Sequence, residues 1–174
     1  MKSLSLLAIA LLFTFSSFGQ DKPQPSPSSK LVQTVGLTQV TVEYSRPGVK
    51  DRTIFGDLLE YGKVWRTGAN AATKFTFDKP VKIGGKSLDA GSYTILTVPG
   101  EKEWKVSFYK YDKPGWNTYT DLDPVVSTTV TPTKLSVPVE TFIIDINNLR
   151  DTSATIDLVW QNTKVSVPFS VGTK

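Results

Sequence analysis

Period-two alternation of apolar and polar residues is what most limits the folds open to this chain. Val40, Val42 and Tyr44 alternate with Thr41, Glu43 and Ser45, and Phe75 and Phe77 with Lys74, Thr76 and Asp78. Trp104, Val106 and Phe108 alternate with Lys105 and Ser107, and Ala154, Ile156, Leu158 and Trp160 share one side of the run from Thr152 to Trp160. Successive side chains of a strand point to opposite faces, so each run reads as a strand with one face buried. Composition agrees: residues 20–174 hold 18 Val and 20 Thr against 5 Ala. β-Branched side chains suit a pleated surface and lose rotamer freedom in a helix.

Turn chemistry separates the runs. Gly84-Gly85, between Val81-Lys82-Ile83 and Lys86-Ser87-Leu88, predicts a tight hairpin, because both central residues can take positive φ. Pro99-Gly100-Glu101-Lys102 divides Tyr93–Val98 from Trp104–Tyr109, and Gln161-Asn162-Thr163 joins Leu158–Trp160 to Lys164–Phe169. Eight or nine closely spaced strands follow, which predicts one all-β domain over residues 31–174, an antiparallel β-sandwich or jelly roll. Between Thr53 and Tyr61 the period changes. Ile54, Phe55, Leu58 and Leu59 fall on one side of a helix that Thr53 could cap, so a short helix or helical turn is expected near residues 53–61.

The N-terminus has a different logic. Lys2, the apolar run Leu4 to Phe15 and the small residues at Ser17 and Gly19 form a secretory signal peptide over residues 1–19, cut before Gln20. That run is about 12 residues, short of the roughly 20 needed to span a bilayer, so no membrane span is expected. Residues 20–30, rich in Pro and Ser, predict an extended mobile linker. Export without cysteine is consistent with size, since a domain of about 150 residues can rest on one hydrophobic core.

The chain has no cysteine and no histidine. Thiol nucleophiles, disulfides, Cys- or His-ligated metals and imidazole bases are therefore excluded, and no cofactor or metal is expected. Without Lys2 there remain 19 basic and 16 acidic residues, a net charge of +3 with no clustered basic stripe. Nucleic acid is not an expected partner.

The most informative stretch runs from Glu43 to Asn70. An interruption of this length inside a compact domain is usually functional or disordered; Phe55, Trp65 and a Leu pair argue for order. It holds three of the four arginines of residues 20–174. Tyr44-Ser45-Arg46-Pro47, Trp65-Arg66-Thr67-Gly68-Ala69-Asn70, Gly85-Lys86 and Ala90-Gly91-Ser92-Tyr93 resemble the most recognisable words of an uncharacterised bacterial family, domain of unknown function 2911. The resemblance runs from about Val40 to Trp104 and loosens from Tyr109 onward. Asp51 departs from it, standing where a small residue is usual before Arg52. It implies an exported β-rich domain and supplies no activity.

Candidate ligand-binding residues are Arg46, Arg52, Trp65, Arg66 and Asn70. Arg46 and Arg52 flank Pro47-Gly48, where a guanidinium braces a turn or holds an anion. Trp65 is either a core residue or, beside Arg66, a stacking platform for a sugar or base. A secondary aromatic group, Tyr109, Tyr111, Trp116 and Tyr119, either presents a carbohydrate face or folds its rings over the core. These residues point to a non-catalytic binding module for a small polar or carbohydrate ligand. A carboxylate-dependent glycan hydrolase using Glu43, Asp57 or Glu60 and a structural envelope protein are the alternatives. Asp121 and Asp123 read as solvated surface, with no calcium-loop pattern around them.

Overall fold

A computed structural model describes residues 22–173, so the expected signal peptide lies outside the described residues. Ten strands form two antiparallel sheets. The six-stranded sheet holds β1 (Ser28–Val35), β2 (Thr38–Ser45), β3 (Lys74–Phe77), β6 (Gly91–Val98), β7 (Trp104–Lys110) and β8 (Val126–Val130), in that order. The four-stranded sheet is ordered β5 (Lys86–Leu88), β4 (Val81–Ile83), β10 (Ser153–Val171), β9 (Thr133–Asn147). One core lies between them, with Val40, Phe75, Ile95 and Phe108 on one side and Ile144, Leu158, Val167 and Phe169 on the other. The all-β sandwich expected from the alternation is the fold observed.

β10 is a strand folded on itself. Nineteen extended residues would span roughly 60 Å, yet the Val171 amide donates to the Thr152 carbonyl at 2.9 Å. The chain reverses at Gln161, whose φ is +51°. Burial confirms the reversal: Ala154, Ile156, Leu158 and Trp160 face the core before it, and Val165, Val167, Phe169 and Val171 after it. The reversal falls on Gln161-Asn162-Thr163, where the sequence placed a turn. β9 runs round its outside: β10 advances from Gln161 to Thr163 while β9 goes from Val139 back to Lys134.

Two expectations need correction. No helix forms over residues 53–61. The Leu58 and Leu59 amides reach back to the Thr53 and Ile54 carbonyls, five residues away, and the Gly56 amide donates forward to Leu59. Gly56, at φ +92°, interrupts the helical repeat, and Leu58 is 45% exposed instead of sharing a buried stripe. The one helical element among the described residues is a 3₁₀ turn at Trp116–Tyr119. The linker is also shorter than its composition suggests. β1 begins at Ser28 and pairs with β2 along its whole length, from Ser28 opposite Ser45 to Val35 opposite Thr38.

Candidate functional site

The chain leaves the six-stranded sheet at Ser45 and seals an edge of the other sheet. The Tyr44 hydroxyl donates to the Ile144 carbonyl (3.2 Å) and accepts from the Ile144 amide (3.0 Å). Arg46 Nε donates to the Phe142 carbonyl at 2.9 Å, and the Phe142 amide donates to the Pro47 carbonyl at 2.9 Å. The Val49 amide reaches the Glu140 carbonyl at 2.8 Å. An open β9 edge would invite pairing with another chain; Tyr44-Ser45-Arg46-Pro47 closes it. Arg52 then folds back, donating from Nε to Val49 (2.9 Å) and from Nη2 to Gly48 (2.7 Å). Both arginines thus brace the crossing, and each retains further N–H groups.

Beyond this seam the excursion caps one end of the sandwich. Gln161, at the reversal of β10, holds it with two bonds, accepting from the Ile54 amide and donating to the Arg52 carbonyl. Phe55 leans into a cluster with Trp65, Trp104 and Trp160. Trp65 extends the six-stranded sheet by pairing with Thr97. Trp65 is 6% exposed; its ring stacks on Trp160 at 5.7 Å and meets Phe142 edge-on at 4.9 Å. Trp65 is therefore a core residue, with its faces committed to other rings.

The next residues form a tight knot. Trp65 Nε1 donates to the Gly68 carbonyl, Thr73 Oγ1 to the Thr67 carbonyl and Thr67 Oγ1 to Thr97 Oγ1. Gly68 has φ +153°, and a Cβ there would lie 2.8 Å from Thr73 Oγ1 and 3.2 Å from the Ser45 carbonyl. Gly68→Ala is expected to cost about 2 kcal/mol, the sum of a strained φ and a displaced bond; urea unfolding of the variant checks this. Asn70, at φ +58°, donates from Nδ2 to the Ser26 carbonyl and Ser45 Oγ. Arg66 donates from Nη1 to the Asn70 carbonyl, and its guanidinium lies 5.3 Å from the centre of the Trp116 ring.

Arg52, Arg66, Pro47, Leu58, Leu59 and Trp65 line a depression of about 300 Å³ at this capped end. Arg46 and Asn70 do not line it; they hold the chain that does. Among the described residues no carboxylate oxygen lies within 4.0 Å of Arg46, Arg52 or Arg66. The depression thus combines apolar side chains with two arginines that have no acidic partner among the described residues.

The secondary aromatic group packs inward. Tyr119 is buried against Ala72 and Leu96 on the outer face of the six-stranded sheet, with Tyr109, Tyr111 and Trp116 around it. Its hydroxyl accepts from the Asp112 and Lys113 amides and donates to the Lys113 carbonyl at 2.7 Å. Burial pushes the Tyr109 phenol up, with a smaller push in the same direction from Asp123. Beside this group Glu43 lies between Lys74 (3.2 Å) and Lys30 (3.9 Å), in a hollow of about 420 Å³ that Tyr111 helps to line. Asp121 and Asp123 are exposed, and among the described residues no group of three Asp or Glu could hold a metal ion.

One polar cluster carried no warning in the sequence. Asp157 has 1% of its side chain exposed, yet it sits on the outer face of the four-stranded sheet. Lys164 Nζ lies 2.7 Å from its Oδ2, and Asn147 Nδ2 donates to the same oxygen at 3.0 Å. Burial pushes this carboxyl up, but the neighbouring Lys164, Ser166 and Asn147 side chains outweigh that and hold it below the ordinary carboxylate value. The signal was recoverable only by folding β10 at Gln161, which brings residues 157 and 164 onto neighbouring arms.

An antiparallel sandwich sealed by the 44–50 crossing and capped by an arginine-rimmed depression is the structural class that these features define. The chain belongs to the family described as protein of unknown function (DUF2911), whose profile matches residues 26–169. The match continues well past Trp104, taking in the aromatic group, β9 and nearly all of β10. No curated protein and no solved structure matches the chain.

Proposed function

We propose that this is an exported, non-catalytic binding domain whose site is the depression between Arg52 and Arg66. One observation carries the reading: Arg52 and Arg66, neither with a carboxylate partner among the described residues, line one hollow together with Pro47, Leu58, Leu59 and Trp65. Guanidinium N–H groups favour carboxylate or phosphate, often in bidentate fashion. Leu58, Leu59 and Pro47 favour a ligand with an apolar side. A small acidic saccharide such as a uronic acid has both. Export rests on the N-terminal pattern of Lys2, the apolar run and Ser17-Phe18-Gly19, joined to a core that needs no disulfide. The hydrolase alternative draws less support, because Glu43 is engaged by two lysines.

Titration calorimetry with galacturonate, and with galactose as the neutral control, tests the proposal. Galacturonate should bind, and Arg52→Gln with Arg66→Gln should weaken it by at least tenfold, the loss of about one charge-assisted hydrogen bond or more. Equal binding of galactose, or an affinity unchanged in the double variant, would overturn it.

A further inference from the structure

The Pro/Ser-rich leader does not trail away from the domain. Three consecutive carbonyls are taken by three different donors. Lys50 Nζ donates to Pro25 at 3.3 Å, Asn70 Nδ2 to Ser26 at 3.2 Å and the Arg46 amide to Pro27 at 2.9 Å. The chemistry is complementary. Proline has no N–H, so Pro25 and Pro27 offer only acceptors, and proline spacing pre-sets an extended backbone that loses little entropy on docking. The receiving surface offers only donors at these points: an ammonium, a side-chain amide and a backbone amide. Lys50 and Asn70 point there from backbone at φ +49° and +58°, conformations that non-glycine residues adopt infrequently. Ser26, the middle residue, also lines the arginine-rimmed depression.

We infer that residues 25–27 form a seated strap, a proline-braced segment whose three carbonyls are held by Lys50, Asn70 and the Arg46 amide, and whose Ser26 walls the depression and sets access to it. The strap stands on its own contacts; its control of access rests on the binding proposed above. Each bond is individually weak and partly exposed, so release does not require unfolding of the sandwich. That is the property of a movable wall.

The absence of cysteine makes the test clean, because Gln24→Cys provides a single labelling position. A nitroxide at position 24 of the full chain should give a motionally restricted spectrum. Lys50→Met with Asn70→Gly should convert it to a fast-motion spectrum while the circular dichroism of the sandwich is retained. Glycine is chosen at position 70 because it tolerates the positive φ. A second variant, Pro25→Gly with Pro27→Gly, loosens the strap from its own side and leaves the domain untouched. A fast spectrum in the parent, or a restricted one in both variants, would overturn the strap. With galacturonate as probe, release should change the dissociation constant at least threefold; an unchanged constant with a mobile label would overturn the control of access. If the parent does not bind galacturonate, the function proposed above fails, and the spectra still decide the strap.

Discussion

Trp65→Ala is expected to lower the unfolding free energy by about 4 kcal/mol, within the range for deleting a large buried aromatic. The ring touches Phe55, Trp104, Phe142 and Trp160, which belong to the excursion and to both sheets. The Trp65 backbone is anchored by its exchange of hydrogen bonds with Thr97, 2.7 and 2.9 Å long. The main chain therefore cannot move in to fill the hole, and the surrounding rings are held by their own strands. At roughly 2–4 °C per kcal/mol for a domain of this size, the midpoint of thermal unfolding should fall by roughly 8–16 °C. Urea unfolding should show a lower midpoint with an unchanged slope. Trp65→Phe, which keeps most of the volume and forfeits the Nε1 bond to Gly68, should lose roughly half as much or less. A loss under about 1 kcal/mol in the alanine variant would show that the cap is fastened elsewhere.

Lys164→Met should have the second largest effect, about 3 kcal/mol near neutral pH, because it strands a buried carboxylate. The figure is placed at the low end because a third of the lysine side chain is exposed. The pH dependence gives the test its sign. In the parent the Asp157 carboxyl is held below its ordinary value, so its contribution is present above the unfolded pKa of about 3.9 and lost as pH falls through the lower folded value. Without Lys164 the largest lowering influence is gone and burial pushes the carboxyl up. The variant then gains relative to the parent on acidification: the gap in stability begins to narrow above about pH 4, as pH falls through the variant's raised folded value, and goes on narrowing below it as the parent loses its own contribution. Asp157→Asn added to Lys164→Met should recover much of the loss at neutral pH by removing the stranded charge. Parallel stability curves for parent and single variant from pH 3 to 7 would sink the assignment.

Much of the sandwich could be read from individual residues, because the signals were local. Gly84 and Gly85 do turn β4 into β5, at φ +57° and +78°. Pro99 to Lys102 separates β6 from β7, and β2 and β3 bury one face as their alternation required, whereas in β7 Ser107 is buried along with Trp104, Val106 and Phe108. β1 was hidden because Ser28 and Ser29 continue the composition of the leader, and only pairing with β2 reveals them as strand. The turn near Ile54 carries a misleading signal, because two apolar pairs four residues apart mimic a helical stripe while Gly56 sets a different hydrogen-bond spacing. Arg52, Trp65 and Arg66 do meet at one depression; Arg46 and Asn70 hold its neighbours, at contacts with Phe142 and Ser26 that no local pattern could predict.

The seam at residues 44–49 sets a schedule. Tyr44 finds Ile144 one hundred residues later, and Arg46 finds Phe142 ninety-six residues later. Neither bond can form on a chain that has emerged only as far as β8, so the seam stays open until the last quarter of the protein is available. Folds closed by contacts this distant along the chain complete slowly, since loop closure precedes its reward. For a protein proposed to cross a membrane before it folds, that delay is useful: the lock is at one end of the sequence and its key near the other, and the chain stays threadable until both have arrived.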